Sequence, residues 1–495
     1  MDLSPIAVIG AGAMGAGIAQ VAAERGFDIL LHDVRDGAAH AARAGIGARL
    51  DRAVAKGTMT ADAAREGLAR IRPVAAIADL APARIAIEAV VEDLAVKAVL
   101  FRDLEAVLAD DAILASNTSS LSIGAIAAGC RRPGRVVGLH FFNPVPLMRL
   151  VEVVAGLGTD PAVVDQVRGL AEKLGKVAVT VRDTPGFLVN LAGRAYTQEA
   201  LHILEEGVAG IAAIDTVLRD ACGFRMGPFE LLDLTGMDVN VPVSRTVFEG
   251  FGHDPRLRTT PGHVALLAAG RLGRKTGQGF YTYDADGRRV DPPAAPAIDA
   301  VPAPRVVIDG PAERMAALLP DGTIVLDQDD GASPILAAFE GEDCTGYALR
   351  RGLDPRRLVG IDLLPDTSRV VTLMAAPGAD PAMAGSVAAA VAATGRTPVV
   401  IRDSAGFIAQ RVLAMIVNLA AEIAQAGIAT PDDIDRGVTL GLNYPVAPFA
   451  WADTVGPARL HAILQGLQAA TGFDRYRPSL WLRRRALLGL PLATV

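Results

Sequence analysis

At 495 residues the chain is too long for one hydrophobic core, and roughly three or four units of about 100–200 residues are expected. Hydrophobic residues make up 51% and charged ones 21%, and a net charge of −7 lacks the basic excess that sequence-independent nucleic-acid binding requires. No apolar run approaches the roughly 20 residues of a membrane span, no basic and then apolar leader opens the chain, and Cys130, Cys222 and Cys344 are spaced for neither a metal site nor a disulfide framework, so a cytoplasmic protein without metal, membrane or nucleic-acid partner is expected.

In chain order, Ile6–Ile9 is a short β-branched run ending at Gly10, and a helix is predicted from about Met14 to Arg25, stopped by Gly26. Ile29–His32 is a second apolar run, ending at Asp33. Ile85–Ala89, Ala112–Ala115 and Val136–Leu139 are further strand candidates. Strands alternating with helices predict a mostly parallel sheet covered on both faces. One long helical stretch, about Ala38 to Arg70, carries Arg49, Arg52 and Lys56 at a spacing that shares one face. Beyond Thr184 the pattern is all-helical, with Ala192–Glu206, Ile211–Ala221 and Val241–Phe248 as helices, ending near the glycine-rich Arg274–Tyr281. The Pro/Ala-rich stretch Asp291–Pro304 reads as a linker.

An internal repeat organises the rest. Val181-Arg182-Asp183-Thr184-Pro185-Gly186-Phe187 returns as Ile401-Arg402-Asp403-Ser404-Ala405-Gly406-Phe407. Gly227-Pro228-Phe229 matches Ala447-Pro448-Phe449, Val137-Gly138-Leu139-His140 matches Val359-Gly360-Ile361-Asp362, and Asp160-Pro161 matches Asp380-Pro381. The helical domain is therefore present twice, the second copy following part of a strand-containing domain. In that copy His140 falls opposite Asp362, Glu152 opposite Thr372 and Asn190 opposite Gln410. The strand-like runs Val306–Ile308 and Ile324–Leu326 are followed by no G-x-G-x-x-G. The second copy is expected to bind no dinucleotide, to perform no chemistry, and to serve packing.

Three constellations carry chemistry. Gly10-Ala11-Gly12-Ala13-Met14-Gly15 is a G-x-G-x-x-G between a strand and a helix. Gly10 permits the turn, Gly12 lets backbone approach a pyrophosphate, Gly15 lets helix meet strand, and the helix N-terminus attracts phosphate. Asp33, 18 residues past Gly15, can accept from a ribose diol and repel a 2′-phosphate, which favours NAD. The alternative is a glycine-rich turn beside a solvated Asp. His140, in Leu139-His140-Phe141-Phe142-Asn143-Pro144, follows a strand at the expected ligand edge, with Glu152 twelve residues on. Such a His suits proton removal from an alcohol, and a carboxylate can fix its tautomer. Position alone leaves a structural His beside an aromatic pair equally open. Ser116-Asn117-Thr118-Ser119-Ser120 and Asp183-Thr184-Pro185-Gly186-Phe187, with Asn190 beyond it, also read as helix caps.

The order and spacing of these motifs resemble the L-3-hydroxyacyl-CoA dehydrogenases. The resemblance runs from Ile6 to about Tyr283, and further marks are Val91-Glu92-Asp93, Gly227-Pro228-Phe229-Glu230-Leu231 and Lys275-Thr276-Gly277-Gln278-Gly279-Phe280-Tyr281. It recurs in degenerate form from about Arg305 to the C-terminus. It implies a Rossmann-like NAD-binding domain over 1–183, a first helical domain over 184–285, a linker over 286–304, a degenerate Rossmann-like segment over 305–402 and a second helical domain over 403–495. It implies His140 as base with Glu152 as its orienting partner, and Ser119 and Asn190 as holders of the substrate oxygen. Gly10, Gly12, Ala13, Met14, Gly15, Asp33, Glu92, Lys97, Asn143 and Lys275 become cofactor contacts, Lys56 meets the coenzyme A phosphates, and Arg49, a further candidate for substrate binding, falls where the family often has a small polar residue. The implied reaction is (3S)-3-hydroxyacyl-CoA and NAD⁺ to 3-oxoacyl-CoA and NADH, in a monomer or homodimer. The full length is similar to long bacterial members of the family in phenylacetate catabolism, which makes 3-hydroxyadipyl-CoA a candidate substrate beside 3-hydroxybutyryl-CoA and Arg149 a candidate partner for a distal carboxylate. A related dehydrogenase of a free hydroxy acid such as L-gulonate, and a non-catalytic NAD-binding protein, are the competing readings.

Overall fold

The computed structural model describes residues 3–290 and 300–495, so residues 291–299 of the expected linker lie outside the described residues. The chain divides into two compact units, Met1–Leu191 with Ala426–Leu442, and Ala192–Gln425 with Asn443–Val495.

The first unit holds β1 (Ile6–Ile9), α1 (Ala13–Glu24), β2 (Ile29–His32), α2 (Ala38–Ala55), α3 (Ala61–Ala69), β3 (Ile71–Val74), β4 (Ile85–Glu88), α4 (Leu94–Val107), β5 (Ile113–Ser116), α5 (Ile123–Ala127), β6 (Val136–Phe141), β7 (Leu150–Ala155), α6 (Pro161–Lys173) and β8 (Val177–Arg182). The strands form one sheet in the order β3-β2-β1-β4-β5-β6-β7-β8. Every neighbouring pair is parallel except β6 and β7. The order reverses direction at β1, where the chain crosses to β4, and such a switch point opens a crevice at the carboxyl ends of the strands. The core is built from Ile6, Val8, Ile18, Ile46, Ile87 and Val153, all fully buried.

Helix α7 (Val189–Glu205) leads from this unit into the second. There follow α8 (Ile211–Thr216), α9 (Pro228–Thr235), α10 (Met237–Gly250), α11 (Pro261–Ala268) and a short hairpin of β9 (Thr282–Tyr283) and β10 (Arg289–Val290). The repeat then supplies β11 (Arg305–Asp309), α12 (Ala312–Ala316), β12 (Ile324–Leu326), β13 (Ile335–Ala338), α13 (Cys344–Arg351), β14 (Leu358–Ile361), β15 (Val370–Ala375), α14 (Pro381–Ala393), β16 (Thr397–Arg402) and α15 (Ile408–Gln425). Its sheet runs β12-β11-β13-β14-β15-β16, and β14 and β15 are again the antiparallel pair. After α16 (Pro431–Leu442) come α17 (Pro448–Val455), α18 (Pro457–Thr471) and α19 (Leu480–Leu488).

The fold class is the expected one, and four details differ from expectation. The long helix over Ala38 to Arg70 is two helices, because Gly57 turns the chain at φ +71° and Thr60 caps α3 by accepting from the Ala63 amide. Strands β3, β7 and β8 were not among the expected strands. In β7 the first five residues are buried on both faces, so Leu150–Ala155 shows no alternation by which to recognise a strand. The degenerate segment forms six strands where only two runs were expected. Finally, α16 of the second helical copy belongs to the first unit. It packs on β7 and β8, where the Asp433 carboxylate accepts from the Thr180 amide at 3.3 Å and the Ile428 carbonyl accepts from the Arg182 amide at 2.8 Å.

Candidate active site

The glycine loop is shaped by close approaches. Gly10 sits at φ +101°, and a Cβ there would lie 2.4 Å from the Ala89 carbonyl oxygen. A Cβ on Gly15 would lie 1.8 Å from the Gly10 carbonyl oxygen, so α1 could not approach β1 with any larger residue. Gly12 is different: its Cβ would meet no protein atom within 4 Å. What its missing side chain leaves open is the space in front of the loop, as a pyrophosphate requires. Ala13 and Met14 form the first turn of α1, behind this opening.

Asp33 closes the far side of the loop. Its carboxylate accepts from the Ala11 amide at 2.7 Å and from the Arg35 amide and guanidinium. The Arg35 hydrogen bonds hold its pKa down to about 2, so it is an anion. A cavity of about 540 Å³ runs from Asp33 past Gly10 and Gly12 to Val90, Val91 and Val99. An acid at one end and apolar walls at the other fit an adenosine moiety.

At the carboxyl edge the antiparallel step from β6 to β7 sets His140 directly opposite Glu152. His140 Nδ1 lies 2.7 Å from Glu152 Oε2, and the two residues are 6% and 1% exposed. The other carboxylate oxygen accepts from the Leu188 and Val189 amides at 3.0 and 2.8 Å. These are unpaired donors at the start of α7, so Glu152 also caps the helix that carries Asn190. The Asn190 side-chain amide reaches the Ser119 carbonyl at 3.4 Å. Phe142 and Phe187 flank the imidazole at centroid distances of 4.5 and 5.9 Å.

Beneath Ser119 lies a carboxylate network. Glu92 Oε1 accepts from the Thr118 hydroxyl and the Ser119 and Ser120 amides. Lys97 is 1% exposed, with its ammonium 2.6 Å from Glu88 and 3.2 Å from Glu92. Burial raises the Glu92 pKa, but the Thr118 hydroxyl and the Lys97 charge outweigh it and the net shift is downward. The Lys97 ammonium is thus enclosed beneath Glu92 and presents no exposed face, whereas the expectation was a direct cofactor contact. Its charge reaches the surface through Glu92, whose side chain is 37% exposed.

A second cavity, of about 500 Å³, adjoins Ala13 and is lined by Gln20, Arg49, Arg52, Lys56 and Asn143. The predicted basic face of α2 therefore forms one wall, and Arg52 joins the two residues singled out. Arg49 is held by the Gln20 side chain at 2.7 Å. Asn143 is placed here, and not along the Asp33 cavity. Arg149 is exposed before β7. Lys275 lies in the second unit, where it pairs with Asp238 at 2.8 Å.

Two positioning groups escaped sequence reasoning. Asn117 Oδ1 accepts from the Phe141 amide at 2.8 Å, tying the end of β5 to the strand of His140. Lys176 donates to the Val145 and Met148 carbonyls at 2.6 and 2.7 Å and so pins the loop after Asn143. Asn117 stood inside a recognised polar motif; Lys176 carried no local signal, because its partners are far away in sequence.

Comparison with known proteins agrees with this geometry. Residues 5–184 match the family model described as 3-hydroxyacyl-CoA dehydrogenase, NAD binding domain, and residues 186–283 and 406–491 both match the C-terminal domain of the same family. The chain belongs to the 3-hydroxyacyl-CoA dehydrogenase family. A relative named 3-hydroxyadipyl-CoA dehydrogenase, from Escherichia coli K12, is 40% identical over 99% of this chain and 98% of its own length. A 3-hydroxybutyryl-CoA dehydrogenase of Bradyrhizobium diazoefficiens is 42% identical over 57% of this chain and 96% of its own. A crystal structure of a 3-hydroxybutyryl-CoA dehydrogenase from Escherichia coli K12 superposes with a TM-score of 0.88 at 39% identity, covering 99% of both chains. Full-length relatives match almost the whole chain, duplicated helical domain included, while shorter members of the family match 57% of it. As a member of this family the chain is an NAD-dependent dehydrogenase of 3-hydroxyacyl-CoA.

Proposed function

We propose that the first unit's crevice, between the glycine loop and the His140–Glu152 pair, is where this dehydrogenase oxidises the 3-hydroxyl of a (3S)-3-hydroxyacyl-CoA to the 3-oxo thioester. The buried 2.7 Å contact between His140 Nδ1 and Glu152 carries the reading. With Nδ1 engaged, Nε2 is the ring nitrogen left to take the hydroxyl proton, and the adjacent carboxylate stabilises the imidazolium that results. Ser119 and Asn190 hold the C3 oxygen, and Phe142 and Phe187 exclude water around the imidazole. Asp33 accepts from the adenosine ribose, the amides of the Gly12–Gly15 turn face the pyrophosphate, and Glu92, charged by Lys97 beneath it, and Asn143 complete the first unit's cofactor contacts. When bound, NAD⁺ supplies the hydride acceptor. Arg49, Arg52 and Lys56 offer three cations to the phosphates of coenzyme A. That basic cavity favours a coenzyme A ester over a free hydroxy acid such as L-gulonate, which has no phosphates to place there.

The test is NADH formation across a panel of esters: 3-hydroxybutyryl-CoA, 3-hydroxyadipyl-CoA and longer chains, with L-gulonate as control. Turnover of one or more esters and none of L-gulonate is expected. Oxidation of the free acid alone would overturn the assignment.

A further inference from the structure

The two helical copies within the second unit meet through α7 and α15, and the contact is unlike on its two sides. Glu199 on α7 is fully buried. Its carboxylate accepts from Arg411 Nε on α15 at 2.8 Å, from the Tyr476 hydroxyl at 2.8 Å, and from Arg475. Arg411 is 1% exposed and also donates to Glu206 at 2.7 Å and to Tyr476 at 2.7 Å. Glu199 and Glu206 belong to the first copy; Arg411, Arg475 and Tyr476 belong to the second. The offset that carries Asp183 to Asp403 carries Glu199 to Leu419, and carries Leu191 to Arg411. Each copy therefore has leucine where the other has its buried charge.

We propose that this face is a one-way interface, which accepts the unlike helical copy and rejects a like one, so that the chain closes on its own second copy. Two second copies brought together would bury Arg411 of each against Leu419. Two first copies would bury Glu199 without Arg411, since Leu191 stands in its place. Breaking a buried charge pair is strongly unfavourable because the remaining charge stays desolvated. An apolar face alone would not discriminate between copies so similar in shape. The ionic cluster supplies register and partner choice, as buried polar groups do in other helical assemblies.

The test uses the full chain. Arg411→Met alone leaves Glu199 under-paired and lowers the unfolding midpoint by several degrees. The triple variant Glu199→Leu, Arg411→Met, Arg475→Leu removes the charges together and returns the midpoint close to wild type. After refolding from denaturant at high concentration, the wild type regains the mass it had before unfolding. The triple variant gives, in addition, a species of twice that mass in which cross-linking shows first copies paired with first and second copies with second. An unchanged midpoint for Arg411→Met would overturn the proposal. So would a wild type that itself refolds into the like-paired species, a measurement that needs no variant.

Discussion

Glu152 serves two elements with one carboxylate: one oxygen orients His140 and the other caps α7. Replacing His140 itself separates chemistry from structure. His140→Gln is expected to lose on the order of 10²–10⁴ in kcat while NAD still binds with an ordinary titration curve; a near-normal rate would remove His140 from the mechanism. Asp33→Ala should narrow the preference for NAD over NADP, measured as the ratio of kcat/KM. If the wild type already used the two equally, the role of Asp33 would be refuted. In the degenerate copy, Asp362 stands at the register position of His140, fully buried, with burial raising its pKa to about 6. Its folded pKa exceeds the unfolded value of 3.8, so the folded state binds the extra proton between those limits. The buried charge is a cost fully present above about pH 6 and absent below the unfolded pKa, of about 3 kcal/mol. Asp362→Asn should therefore stabilise the protein at pH 8 and do so progressively less as the pH falls to 4. Denaturant titrations at the two pH values decide it, and a gain independent of pH would exclude this cause.

Among elements, α16 matters most to the site although it lies far off in sequence. It carries two glycines where it crosses β7 and the start of α7. A Cβ on Gly437 would lie 2.6 Å from Leu188, and one on Gly441 would lie 2.9 Å from Leu150 and 3.0 Å from Val189. Leu188 and Val189 are the residues whose amides Glu152 caps, and Leu150 opens the strand that carries Glu152. Gly441→Val should push α16 off this surface, cost about 1–3 kcal/mol as an overpacked contact, and lower kcat several-fold although it lies outside the crevice. Undisturbed kinetics with a lowered melting temperature would show that the packing supports stability alone. α5 and α13 illustrate how the repeat preserves local physics: Asp183 accepts from the Gly124 amide, and its counterpart Asp403 accepts from the Cys344 and Thr345 amides. The caps survive duplication while the His140–Glu152 pair does not.

At the scale of the whole molecule, the second copy keeps a sheet and its antiparallel step but, among the described residues, no G-x-G-x-x-G loop. β11 ends at Asp309-Gly310-Pro311, with a five-residue helix after it and no glycine cradle. Where His140 and Glu152 meet, this copy has Asp362 and Thr372, and among the described residues Asp362 Oδ2 and Thr372 Oγ1 find no hydrogen-bond partner. Calorimetric titration should therefore give one NAD per chain; two equivalent sites would contradict this. Among the described residues, α15 is the one helix long and apolar enough to cross a bilayer, and 89% of it is buried as core within the protein.

Local chemistry was enough to recognise much of this protein. The glycine loop is legible because its spacing follows from close approaches within a single strand-turn-helix unit. Asp33 is legible because it ends the next strand. The repeat is legible because caps and turns depend on neighbours in sequence. His140 was legible as a candidate with Glu152 as its partner, but the register that joins them was not, since it depends on the antiparallel pairing of a strand, β7, whose two-sided burial erased the alternation that would have revealed it. The enclosure of Lys97, the grip of Lys176 on a distant loop, the double duty of Glu152 and the return of α16 to the first sheet were decided only in three dimensions. Each rests on contacts between residues far apart in the chain, and such contacts leave no period or spacing in the sequence.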